Sequence, residues 1–383
     1  MRDVHESCSH TEEGCLRCEV VPAATGKSGD TLLLAPLDCA AREALERILK
    51  GGRIDSRETR GMLEIDCGSA VSSSTVDWLK ARLPSTLQDR IKGVFFDGAL
   101  ARTAESMLAI FIHAEPLSTL FDVLDVEWAR TALLEDRLFS VYHPIVDARD
   151  GSTFAHEALI RARHPATGDV VGAQQLIYAC ERLNLHNALD QCARVTALKD
   201  ARMLDFTKRK LFMNFLPSSI YEPEVCLRTT MAAAKECGVP LDRLVFEVIE
   251  TEQISNMDGL RRVVEYYRKN GAGIALDDIS SGFASLQYLA DIMPDYAKID
   301  RHLIASAGES DSARHTLDSL VGLARKLSVK VVAEGIETPH QMRVCQEAGV
   351  DYMQGFLFAR PAAPPEAVRL PDSFHAVGEV VAA

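Results

Sequence analysis

From residue 139 onward the chain repeats one unit, a short apolar run followed by an amphipathic stretch. The runs are FSVYHPIVD, FAHEALIRA, KLFMNF, RLVFEVI, GIALDDI, YAKID, VKVVAEG and YMQGFLF, eight within residues 139–358. Most are separated by helical stretches such as AQQLIYACERLNLHNALDQCARVTALKDA. Strands that alternate with helices pair in parallel and bury both sheet faces. Eight such units predict an α/β fold, a TIM-type (β/α)8 barrel. Only a short turn around ARDGS joins the first two runs, whereas a parallel crossover needs about a dozen residues. The first strand is therefore expected to lie antiparallel to the second.

The barrel leaves room for more within 383 residues. Residues 1–30 are polar and contain Cys8, Cys15 and Cys18, and they read as a leader. Residues 31–125 predict a small α/β domain of regulatory size, followed by a helical connection to about 138. Its expected strands are TLLLA at 31–35, GMLEIDC at 61–67, GVFFD at 93–97 and MLAIFIHA at 107–114. Its helices are AAREALERILKGG at 40–52, stopped by Gly51 and Gly52, and TVDWLKARLPSTLQDRI at 75–91, interrupted by Pro84. The barrel is expected over 135–365 and an Ala/Pro/Val-rich tail over 366–383.

Charge narrows the partners. The net charge is −13, from 42 basic and 55 acidic residues, and both parts of the chain are acidic. No basic stripe suits duplex nucleic acid. No run reaches the ~18 apolar residues of a membrane span. MRDVHESCSH lacks the apolar core of a signal peptide, so a cytoplasmic location is expected. Cys180, Cys192, Cys226, Cys237 and Cys345 lie in apolar-rich stretches and read as small core residues.

The polar residues recur at strand ends. Glu157 lies in strand two, Asn214 in three, Glu247 and Glu250 at the end of four, and Asp277 and Asp278 at the end of five. Lys298 lies in strand six, Glu334 and Glu337 follow seven, and Gln354 lies in eight. The C-terminal strand ends form the active face of such barrels, so these side chains should meet at one mouth. Crowded carboxylates need a cation or a proton. Oxygen-rich ligands suit Mg²⁺ or Mn²⁺ better than zinc. Adjacent Asp277 and Asp278 would let one carboxylate bridge two metals, the usual device for phosphodiester hydrolysis, with Lys298 holding water or neutralising charge.

Residues 156–165, HEALIRARHP, resemble the signature of EAL domains, the cyclic di-GMP phosphodiesterases. LFMNFLPSSI, LVFEVIETE, IALDDISSGFASLQYL, PDYAKID, VVAEGIET and DYMQGFLFARP follow in the family's order, over about 135–365. The resemblance implies hydrolysis of cyclic di-GMP to linear pGpG with Mg²⁺ or Mn²⁺. It implies Glu157, Asn214, Glu247 and Asp277 as ligands of one metal, and Asp277 and Asp278 of the second, with Glu334 or Glu337 assisting. Lys298 would position the attacking water, Arg161 would contact a phosphate, Gln354 would complete the pocket and Glu250 would brace the loop after strand five. A homodimer is also implied.

That loop departs from the family. DDISSGFAS stands where active members usually read DDFGTGYSS, with Ile279 for Phe and Ser280 for Gly. His143 also replaces a common Gln, and Arg163 a common Trp. A weakly catalytic receptor that signals to a protein partner is the alternative. No GGDEF-type motif occurs in the first 130 residues, which argues against cyclic di-GMP synthesis. In HESCSHTEEGCLRC, a single C-x-x-C pair with Cys8, His5 and His10 nearby fits a zinc, iron–sulfur or redox site, or incidental thiols. If functional, it would be a sensor that controls the barrel.

Overall fold

The computed structural model describes residues 10–11, 14–15, 29–67, 74–99, 103–220, 222–249, 257–279 and 283–374. The expectations for His5, Cys8, Cys18, Glu250 and Ser280 lie outside the described residues. A two-residue hairpin pairs His10–Thr11 with Gly14–Cys15. The chain divides into two compact units, one of Val21–Thr131 with Ile177–Leu185, the other of Met1–Val20, Ala132–Leu176 and His186–Ala383.

The first unit holds a five-stranded antiparallel sheet. Its strands run Ser56–Thr59, Met62–Asp66, Thr31–Pro36, Ile91–Phe96 and Glu115–Pro116 in spatial order. The central strand explains its own sequence. Leu32 and Leu34 face a core built with Leu45 and Leu49 of helix Cys39–Gly51, and Leu33 faces the other side with Val94, Phe96 and Met107. A strand covered on both faces has no reason to alternate, hence TLLLA. Asp38 caps the helix by accepting from the Ala41 N–H at 2.8 Å, and Pro84 separates Ser74–Arg82 from Ser85–Gln88.

One expectation for this unit is corrected. The apolar run at 107–114 is not a strand; helix Ala104–Ile112 contains most of it. An unbroken apolar run does not distinguish the two structures by periodicity. The start signal does: Thr103 accepts from the Ser106 N–H at 3.1 Å. The helix covers the Leu33 face with Met107, leaving Leu108 and Ile112 exposed.

In the second unit the eight strands are Leu138–Asp147, Thr153–Arg163, Lys210–Phe215, Leu244–Ile249, Gly273–Ile279, Tyr296–Ile299, Lys330–Ala333 and Tyr352–Met353. The second to eighth pair in sequence order and in parallel. The first pairs antiparallel with both the eighth and the second, which closes the barrel. Val170–Val171 adds a short antiparallel strand beside the second. Amphipathic helices connect the strands, and no described helix is long and apolar enough to cross a membrane. At the strand starts, Asp295 Oδ2 accepts from the Ile274 N–H and Asp351 Oδ2 from the Val331 N–H, fixing register at the end away from the candidate site.

Period-two alternation organises the barrel. Outward residues such as Leu211, Met213, Phe246, Val248 and Leu276 pack in the core shared with helix residues such as Val263 and Tyr267. Inward, Ile145, Ala155, Phe212, Val245, Ala275, Tyr296 and Val332 form an apolar layer, with Tyr352 packed against it. The next inward position on each parallel strand is two residues further on. These positions are Glu157, Asn214, Glu247, Asp277, Lys298, Glu334 and Gln354. On the antiparallel first strand the next position is two residues back, at His143, which pairs in register with Glu157. A polar layer therefore lies directly on an apolar one.

Candidate active site

Lys298, 1% exposed, is the centre of the polar layer. Its Nζ lies 2.7 Å from Glu334 Oε1, 2.9 Å from Glu247 Oε1, 3.0 Å from Asp277 Oδ1 and 3.4 Å from Glu157 Oε1. Gln354 Nε2 donates to Glu157 Oε2 at 2.9 Å, and Asn214 Nδ2 to Glu157 Oε1 at 3.4 Å. An ammonium has three hydrogens and one charge, too few for four carboxylates.

The imbalance appears in the proton affinities. Burial pulls Lys298 toward the neutral form, but Asp277, Glu157, Glu247 and Glu334 together hold its pKa well above the ordinary lysine value. Burial also raises Glu157, but Lys298 and the Gln354 hydrogen bond outweigh it, so its pKa falls below the usual carboxylate value. Burial pushes Glu247 well above the normal range, with Lys298 opposing and the neighbouring carboxylates adding to the rise. Burial likewise pushes Glu334 up to about 8, against Lys298 and with Asp277 and Glu157. Glu247 is fully buried, and its Oε2 has no hydrogen-bond partner. Such a group keeps a proton or needs another cation.

The fifth strand supplies a second cluster by breaking its own alternation. Neighbouring strand residues normally point to opposite faces. Here Leu276 pairs with Ala297 but Ile279 pairs with Ile299, so one extra residue bulges between them. Asp278 adopts φ 58°, a conformation aspartate reaches more readily than most residues. Asp277, Asp278 and Glu334 each offer an oxygen, and these oxygens lie within 4.8 Å of one another. The donors are hard oxygens, and Glu247 adds an unpartnered one, so the residues present fit a divalent ion such as Mg²⁺ or Mn²⁺.

The mouth is closed by linked strand ends. The Glu334 N–H donates to Ile299 O at 3.1 Å, the Gln354 N–H to Ala333 O at 2.8 Å and the Ile336 N–H to Gln354 O at 3.0 Å. A Cβ on Gly355 would lie 2.0 Å from Ile336 O, so only glycine permits this approach. His143 is buried, donates from Nε2 to Ala359 O at 3.2 Å, and stays below the ordinary histidine pKa because of burial. It completes the layer, although the sequence marked it only as a departure from the family.

Not every expected residue joins the centre. Arg161 is half-buried on the Glu157 strand and donates to Ile160 O at 2.8 Å. Glu337 is exposed; its N–H donates to Gln341 Oε1 at 2.9 Å beside the capping box of helix Pro339–Ala348, and Glu334 is the one of the pair that reaches Lys298. Arg163 stacks its guanidinium 5.0 Å from the Phe139 ring centroid.

The profile of the EAL domain family matches residues 126–361, and the chain belongs to this family. It is 31% identical over 238 residues to the cyclic di-GMP phosphodiesterase NbdA of Pseudomonas aeruginosa, covering 61% of this chain and 30% of that protein. It is 29% identical over 253 residues to the probable cyclic di-GMP phosphodiesterase PdeG of Escherichia coli K12, covering 64% and 48%. The matched region thus spans less than half the length of either relative. A standalone EAL protein from Vibrio cholerae, solved with cyclic di-GMP bound, superposes with a TM-score of 0.55 at 32% identity, covering 62% of this chain and 98% of that one.

Proposed function

We propose that this chain hydrolyses cyclic di-GMP to linear pGpG with two Mg²⁺ or Mn²⁺ ions, under control of the region before the barrel. The observation that carries this reading is the polar layer, with Glu157, Glu247, Asp277 and Glu334 around Lys298 and Asp278 brought beside them by a bulge. The named phosphodiesterase relatives support the substrate. An anionic dinucleotide would be repelled by this mouth without bound cations.

In this reading Glu157, Asn214, Glu247 and Asp277 would hold one ion, and Asp277, Asp278 and Glu334 would hold the other. Such ions supply an acidified water and neutralise charge that develops on the phosphate. Lys298, held protonated by its carboxylates, acts as a hydrogen-bond donor that orients the attacking water, not as a base. Gln354 fixes Glu157 through its 2.9 Å hydrogen bond. Arg161 turns from Ile160 O to a phosphate oxygen. Glu334 and Glu247 would hold a cation only in their ionised form, because proton and cation compete for the same oxygens. The product's 5′ phosphate requires that the P–O3′ bond breaks and that the 3′ oxygen leaves as a hydroxyl.

Glu250 as a brace, a homodimer, a protein partner for the preceding region and a cytoplasmic location belong to the same proposal, as does a metal or redox role for Cys8, Cys15 and Cys18. Purified full-length chain with Mg²⁺ and with Mn²⁺ should release pGpG, and Glu157→Ala should not. No product from the wild type would overturn the enzyme reading. Tight cyclic di-GMP binding in the same samples would then establish the receptor.

A further inference from the structure

A second buried charge pair lies outside the polar layer, on helix His186–Asp200. Asp190 and Arg194 are one helical turn apart, 6% and 3% exposed, and in direct contact through Asp190 Oδ2 and Arg194 Nη1. Asp190 Oδ1 accepts from the Leu216 N–H at 2.9 Å, and Oδ2 accepts from Ser219 Oγ at 2.5 Å. Arg194 Nε donates to Oγ1 of Thr230, fully buried on helix Arg228–Cys237, at 3.1 Å. The pair ties two helices to the segment that leaves the third barrel strand.

Asn214 sits at the end of that strand, two residues before Leu216. Ladder pairing on one side ends with Phe215 opposite Val248, so Leu216 is the first residue that the neighbouring strand does not hold. Asp190 takes over there. Apolar residues of matching shape are often as stabilising as a buried ion pair, or more so, whereas an ion pair fixes one geometry. We infer that Asp190, Arg194 and Ser219 are positioning residues that hold Asn214 at the angle from which its amide oxygen meets a divalent cation. This rests on the reading of Asn214 as a metal ligand.

The test is Mn²⁺ binding by the full chain, followed from the EPR signal of free Mn²⁺, with melting temperature as the check on folding. Ser219→Ala should weaken Mn²⁺ roughly tenfold, within the range seen when groups that orient a ligand are removed. Ser219→Thr should restore it, and Asp190→Asn should weaken it at least as much as Ser219→Ala. In an Asn214→Ala background Ser219→Ala should cost nothing further, since the two changes act through one side chain. Wild-type affinity in both Ser219→Ala and Asp190→Asn would overturn the proposal, as would an equal loss with and without Asn214. If Asp190→Asn fails to fold, Ser219→Ala decides. Failure of the wild type to bind Mn²⁺ would also overturn it. Binding with these dependences but no pGpG would sink the hydrolysis reading and leave the positioning role standing.

Discussion

The two sheets of this protein use similar strands to different ends. TLLLAP in the first unit and LVFEVI in the second are both short and apolar. The first sheet is antiparallel throughout, so consecutive strand ends fall on opposite edges. Among its described residues the buried polar side chains are Thr31 and Glu64, one on each of two neighbouring strands, so no larger polar layer gathers there. Seven barrel strands run parallel, so one position past the apolar layer recurs at one mouth. Direction of pairing, more than composition, decides whether strand-end polar residues scatter or converge.

The contrast can be broken most sharply at the polar layer. Removing a carboxylate there, as in Asp277→Ala, should lower the rate of pGpG release roughly a thousandfold or more. Glu64→Gln in the other sheet should leave the rate within about threefold, as expected for a group that touches no reacting atom. A comparable loss from both would mean that the sheets share one functional network.

Core truncation should show the reverse. Leu34 is fully buried, and Leu34→Ala should cost about 2–5 kcal/mol of stability in the first unit, read as a lowered denaturant midpoint. Turnover per folded molecule should persist.

The mouth should also be visible in the pH dependence of stability. Glu334, at about 8, binds its proton more tightly folded than unfolded. Its contribution is present below the unfolded pKa, about 4.3, and is lost as pH rises through about 8. Glu247 shifts in the same direction. With EDTA the melting temperature of the barrel transition should fall between about pH 5 and 8, and saturating Mn²⁺ should flatten that slope. A flat profile in EDTA would contradict the crowding of these carboxylates.

The smallest effect is expected at Glu337. Being exposed and away from Lys298, Glu337→Gln should change pGpG release by no more than about twofold. A large loss would restore it to the centre in place of Glu334.

Much of the barrel was legible because its signals are local. Alternating elements gave eight strands, a short turn gave the antiparallel first one, and polar residues at strand ends marked Glu157, Asn214, Glu247, Asp277, Lys298, Glu334 and Gln354. Run 107–114 was misread because an apolar run satisfies either period, and its helix was signalled by Thr103 just outside it. Glu334 and Glu337 could not be ranked, since both follow one strand and three residues turn the chain from the mouth to an exposed helix cap.

Residue type and spacing were enough to set which residues of each strand face inward and which chemistry lines the mouth, because side-chain direction in a strand follows a period of two. Three features depended on closure of the barrel. They are the extra residue that turns Asp278 beside Asp277, the four carboxylates that share one ammonium, and the Asp190 carboxylate that reaches Leu216 from a helix. Each joins residues far apart in the chain or breaks a local rule. Their geometry is set by neighbouring strands and helices, which local sequence does not specify.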